Sequence, residues 1–194
     1  MTHNIGEQWQ AAFWQTVQRH ENASLLKEAA LRARLGEWTK ALTAVVVATC
    51  EVMGWRASAK DHSLDLLPVP RSEYLALDVM AFAKGEKRWR FPIAVMELEN
   101  SRDDDRIAYS LWKVTCVRAD LRVVFCYRAS ADQGSALVRF LRDEVVAAMG
   151  LAERIKLEGQ TVVVVGSRND AATFPYGFFK WWQLEHNTGT FRLI

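Results

Sequence analysis

Phe91–Asn100, FPIAVMELEN, is the stretch from which the rest of the chain can be read. Its apolar run suits a strand buried in a sheet, and it ends in two carboxylates, Glu97 and Glu99, two residues apart. Side chains on a strand alternate between faces, so Glu97 and Glu99 share one face with Ile93 and Val95. Charges are rarely set among such neighbours without partners. Upstream, Tyr74–Ala83 alternates in the same way and places Asp78 on an otherwise apolar face. Lys84-Gly85-Glu86-Lys87 predicts the turn between the two runs, with Gly85 supplying a positive φ, and Arg88–Glu99 returns as the partner strand. A turn centred near Lys87 puts Asp78 opposite Glu97, where facing Cβ atoms lie ~5 Å apart.

Downstream, Ser101 and Asp104 resemble a capping box opening a helix over Arg102–Arg118, with Ile107, Leu111, Val114 and Val117 as its apolar stripe. Leu121–Tyr127 and Thr161–Val165 read as buried strands, Ser135–Met149 as a helix closed by Gly150, and Tyr176–Ile194 as a hairpin turning at Asn187-Thr188-Gly189. Toward the N-terminus three helices are expected. The first runs over Ile5–His20, with Trp9, Phe13 and Val17 on one face. The second covers Leu25–Leu35, capped by Asn22 or Ser24, and the third covers Glu37–Met53, closed by Gly54. Trp55–Arg71, with Pro68 and Pro70, reads as a loop leading into a strand. The strands flanking Arg102–Arg118 then pair in parallel through a right-handed crossover. The fold class is therefore α/β (α+β), a mixed central sheet flanked by helices. One domain over 1–194 is expected, comprising a helical extension (1–35), a core (36–128) and C-terminal helix and strands (129–194).

Composition narrows the function. With 25 Lys+Arg against 23 Asp+Glu, the net charge is only +2, so any nucleic-acid contact must come from local patches. The three cysteines, Cys50, Cys116 and Cys126, lie in apolar contexts without CxxC spacing, as in a reduced cytoplasmic protein. The polar start MTHNIGEQWQ has no apolar run to act as a signal peptide, and Ala41–Cys50 is too short to span a bilayer, so no membrane partner is expected. His3, His20, His62 and His186 are scattered, which argues against zinc.

Asp78, Glu97 and Glu99 remain as a possible hard, oxygen-rich site of the kind Mg²⁺ occupies. Such an ion polarises a phosphodiester and makes hydroxide from bound water. The plainer alternative is three surface acids on an exposed strand face; the apolar context of the strand favours the site.

These residues resemble the PD-(D/E)XK nuclease superfamily, the restriction-endonuclease-like fold. Its core runs helix, three-stranded meander, helix, strand, with an aspartate on the second strand and a (D/E)-x-K element on the third. Asp78 matches the aspartate, and Glu97-Leu98-Glu99 matches the element with Glu99 in place of its lysine. The resemblance spans about Glu37–Tyr127 in topology and rests on few motif residues. It implies a Mg²⁺- or Mn²⁺-dependent nuclease acting on DNA. Asp78, Glu97 and Glu99 would serve as ligands and catalytic groups. Lys113 of the following helix is the candidate replacement lysine; the plainer reading is an ordinary solvated helix residue. A glutamate of the first core helix, Glu37 in preference to Glu51, would be a further ligand. The non-enzymatic alternative is an inactive nuclease-fold protein acting as a binding or scaffold module. A third is a hydrolase of small phosphoesters.

Other clusters have simpler explanations. Asp103-Asp104-Asp105 suits the positive end of a helix. Lys84, Lys87, Arg88 and Arg90 around Trp89 offer a basic, aromatic tip for DNA. The tail aromatics with Arg168, Lys180 and Arg192 suit structure or a homodimer surface.

Overall fold

The computed structural model describes residues 4–194. Among them lie six α-helices and seven strands: α1 (Ile5–Val17), α2 (His20–Leu31), α3 (Leu35–Val52), β1 (Trp55–Ala59), β2 (Val79–Ala83), β3 (Ala94–Leu98), α4 (Asp104–Thr115), β4 (Leu121–Arg128), α5 (Ala131–Leu141), α6 (Leu151–Lys156), β5 (Gln160–Ser167), β6 (Phe179–Glu185) and β7 (Thr190–Leu193). The strands form one mixed sheet in which spatial order equals chain order. The β3–β4 and β4–β5 pairs are parallel and the other four antiparallel. No helix of the described residues is long and apolar enough to cross a membrane.

Each face of the sheet is covered by one helical layer, as its two-sided hydrophobicity requires. On the first face Trp9, Phe13, Leu42 and Val46 of α1 and α3 meet Val79, Met96, Phe125 and Val164. On the second, Ile107, Leu111, Leu137 and Leu141 of α4 and α5 meet Met80, Val95, Val124 and Val163. Burying one such side chain is worth about 1.5–3 kcal/mol. Arg122 of β4 is 2 % exposed. Its guanidinium donates to the carbonyls of Val114 (3.1 Å), Val117 (2.9 Å) and Glu158 (2.7 Å), holding a cation at the negative end of α4.

Several expected boundaries shift. The break between α2 and α3 lies at Ala33, with φ 51°, and Gly36 falls inside the first turn of α3. The first residues of the expected loop Trp55–Arg71 are β1, paired with β2. Tyr74–Ala76 is a short 3-10 turn, with Leu75 at φ 56° and Ala76 at φ 53°, so Asp78 stands just before β2 and not within it. β3 begins at Ala94, which leaves 84–93 as a long loop, and Ile93 joins the layer opposite Val95. Asp103, not Ser101, caps α4, accepting from Asp105 N (2.9 Å) and Arg106 N (3.3 Å). The helix read over Ser135–Met149 starts at Ala131 and loosens to a wider turn at Arg142–Val146, and α6 follows.

Candidate functional site

The β2–β3 register pairs Val79 with Met96, and one step further brings Asp78 opposite Glu97. Two hydrogen bonds tie Asp78 to the end of β3. Leu98 N donates to Asp78 Oδ2 (2.7 Å), and Asp78 N donates to Glu97 Oε1 (3.3 Å). The β3 strand continues from Val95 into Glu97 on the face toward α4, where a carboxylate would otherwise be stranded among apolar groups. Helix α4 supplies the remedy. Lys113 Nζ lies 2.8 Å from Glu97 Oε2, and Ser110 Oγ donates to the same oxygen at 3.4 Å. Lys113 is held from the far side by Ala76 O at 2.7 Å. Ser110 and Lys113 are three residues apart, so one helix face brings both to Glu97.

Glu97 is 5 % exposed. Burial pushes its carboxyl from the ordinary 4.5 up to about 7; the hydrogen bond from Lys113 pulls the other way, and the Asp78 carboxylate adds to the rise. A carboxyl poised near neutrality, beside a second carboxylate and an ammonium, is suited to proton transfer. Asp78, but neither Glu97 nor Lys113, lines a cleft of about 390 Å³ together with Thr39, Lys40, Lys60, His62 and Glu73 among others.

The remaining expected residues are placed elsewhere. The Glu99 side chain turns back to accept from Ser101 N (2.6 Å), while its backbone N–H extends the β4 pairing at Phe125 O (2.9 Å). Glu37 is exposed in the first turn of α3 and pairs with Arg34 at 3.0 Å, and it does not line the cleft. The ion-pair partner of Glu37 in this structure is thus its i,i+3 neighbour. Helix α3 presents Thr39, Lys40 and Thr43 to the cleft instead. Asn100, just past β3, donates to Thr39 Oγ1 (2.6 Å) and ties the strand end to that helix. Sequence reasoning missed Thr39, Lys40, Lys60 and Glu73; only recognising β1 would have found Lys60, since the turn after β1 carries it.

Compared with protein-family models, curated proteins and solved structures, the chain matches none.

Whether these residues suit a divalent ion is a question of donor chemistry. Asp78, just before β2, and Glu97, on β3, are hard oxygen donors, and Mg²⁺ commonly takes one or two carboxylates with waters filling its octahedron. Among the described residues no group of three or more His, Cys, Asp or Glu side chains is disposed to hold an ion. The fit is thus that of a two-carboxylate site in which the Lys113 ammonium already balances Glu97.

Proposed function

We propose that the chain is a metal-dependent, nuclease-like hydrolase of DNA phosphodiester bonds, acting at Asp78, Glu97 and Lys113 with Glu99 at the margin of the site. The observation that carries this reading is the convergence, from three elements, of Asp78, Glu97 and Lys113, with the lysine 2.8 Å from Glu97. The element order α3, antiparallel β1–β2–β3, α4, then β4 parallel to β3 supports it, since a PD-(D/E)XK core runs in that order. Asp78 and Glu97 would hold Mg²⁺ or Mn²⁺, which when bound polarises the phosphodiester and acidifies a water. Lys113 neutralises charge beside Glu97 and would be the cation nearest the bound phosphodiester. A free-thiol complement of Cys50, Cys116 and Cys126 fits a cytoplasmic setting. The outer edge of β7, the last strand of the sheet, would be the surface for a homodimer.

Calorimetric titration with Mn²⁺ and Mg²⁺, together with plasmid cleavage, tests the proposal. Ion binding and cleavage are expected in the native chain and absent in Asp78→Asn, whose far-UV spectrum stays native. If the native chain binds neither ion at millimolar concentration and Asp78→Asn alters stability alone, the enzymatic reading fails. A nuclease-fold module without activity would then remain. That second reading is favoured by the Glu99 side chain being engaged by Ser101 N and by Glu97 already being paired. Cleavage of small phosphoesters without cleavage of DNA would assign the site to another hydrolase.

A further inference from the structure

Helix α4 carries more than Lys113. Its outer face exposes two large aromatic rings, Tyr109 at 59 % and Trp112 at 54 %. The two rings stack on each other, with centroids 5.8 Å apart and planes inclined by 25°. Lys113 Nζ lies 5.9 Å from the Tyr109 ring centroid, and this ammonium is the one that contacts Glu97. Arg106, one turn before Tyr109, is exposed on the same side of the helix. Asp105 is exposed as well, four residues before Tyr109 on the same face, and the Lys113 ammonium is engaged by Glu97 and the Ala76 carbonyl, so among the described residues Arg106 is the free cation beside the rings.

Neither core packing nor helix stability requires this arrangement. The apolar stripe of α4 that faces the sheet is Ile107, Leu111 and Val114, all buried. Tyr109 and Trp112 lie outside it, and exposing two adjacent aromatics wastes the apolar surface such residues usually bury. A ring pair offering a flat π-face beside cations matches what an unpaired nucleobase with its phosphate requires. A paired duplex keeps its bases stacked inside and shows no free face to such a platform.

We infer that Tyr109 and Trp112 form a stacking platform for an unpaired nucleobase, making single-stranded nucleic acid the class of ligand this face takes. Arg106 meets its phosphates. This deepens the proposed function, because the platform is joined through Lys113 to Glu97 and would present a single strand to that site. It names a substrate class, and it concerns binding, which needs no hydrolysis.

The test is fluorescence anisotropy with labelled 12-nucleotide single strands, deoxyribo and ribo, and a blunt duplex of the same sequence, all in EDTA. In the native chain at least one single strand is expected to bind more tightly than the duplex. Trp112→Ala and Tyr109→Ala each weaken single-strand binding by about 5- to 100-fold, with duplex binding changed less than about twofold. Trp112→Phe restores most of the affinity, and Arg106→Gln flattens its dependence on salt. Both aromatic positions are exposed, so these variants are expected to fold as the native chain does. The inference is overturned if the native chain binds no single strand, if the alanine variants bind like the native chain, or if duplex affinity falls in parallel. It is also overturned if the substitutions instead dissociate a dimer in sedimentation, which would make the face a contact between copies. Single-strand binding without cleavage in Mg²⁺ would remove the nuclease reading and leave the platform standing.

Discussion

Replacing Glu97 by glutamine makes the sharpest test of the site's electrostatics. The carboxyl is pushed from 4.5 to about 7 by burial, with Lys113 opposing and Asp78 reinforcing the rise. Between those values the folded chain keeps a proton that the unfolded chain has released. Stability from this group is therefore full below about pH 4.5 and falls as pH rises toward and through about 7. A rise of this size corresponds to a loss on the order of 3 kcal/mol across the interval. Other carboxylates titrate in the same range, so the quantity to follow is the difference between native and Glu97→Gln chains. Urea unfolding from pH 4.5 to pH 8 is expected to show that difference drifting by roughly 3 kcal/mol against the native chain. The direct observable is the Glu97 side-chain carboxyl carbon in an NMR titration. Asp78→Asn removes a repelling charge and lowers its midpoint; Lys113→Met removes the ammonium at 2.8 Å and raises it. A stability difference flat in pH, or a midpoint near 4.5, would refute this account of the site.

Arg122→Met leaves the carbonyls of Val114, Val117 and Glu158 without their donor inside the second layer, and chemical unfolding is expected to show a loss of about 3 kcal/mol or more. Arg122→Lys recovers only part of it, because one ammonium does not reproduce the fork. Leu75 is 71 % exposed and sits at φ 56°, so Leu75→Val is expected to be less stable than Leu75→Gly by about 1–2 kcal/mol in thermal or urea melts. Burial pushes the thiols of Cys50 and Cys126 up to about 12, while Cys116 is exposed. A thiol reagent at neutral pH should thus label Cys116 quickly and the other two only on unfolding.

Much of this architecture could be read from the chain because periodicity reports burial. The valines of β4 and β5, the apolar stripe of α4 and the four-residue spacing of Trp9, Phe13 and Val17 each reappear where expected. So does the parallel pairing of β3 with β4. The facing of Asp78 and Glu97 followed from centring the connection near Lys87. The errors arose where local chemistry competes with the wider pattern. Tyr74–Ala83 alternates like one strand, yet Leu75 and Ala76 turn left-handed and shorten it. Trp55–Ala59 is too short to stand out, and its pairing with β2 depends on a strand arriving twenty or so residues later. The resemblance offers Glu37 as a further ligand, and the structure pairs it with Arg34. The cleft was not legible, because its walls come from α3, the turn after β1 and the end of β3, and only the closed fold brings them together.

The sheet's strand order has a consequence for how the chain is made. Because each strand neighbours the next in sequence, every ladder from β1 to β7 can form as soon as its second strand leaves the ribosome. Helix α1 is the exception. Trp9 and Phe13 pack against Phe125, Phe179 and Trp181, with Trp9 and Trp181 rings 5.9 Å apart. The aromatic side of α1 thus meets Phe125 only once β4 is made, and is covered in full only when β6 has followed. That interval is when the nascent chain is most open to chaperones and to mispairing with its own kind.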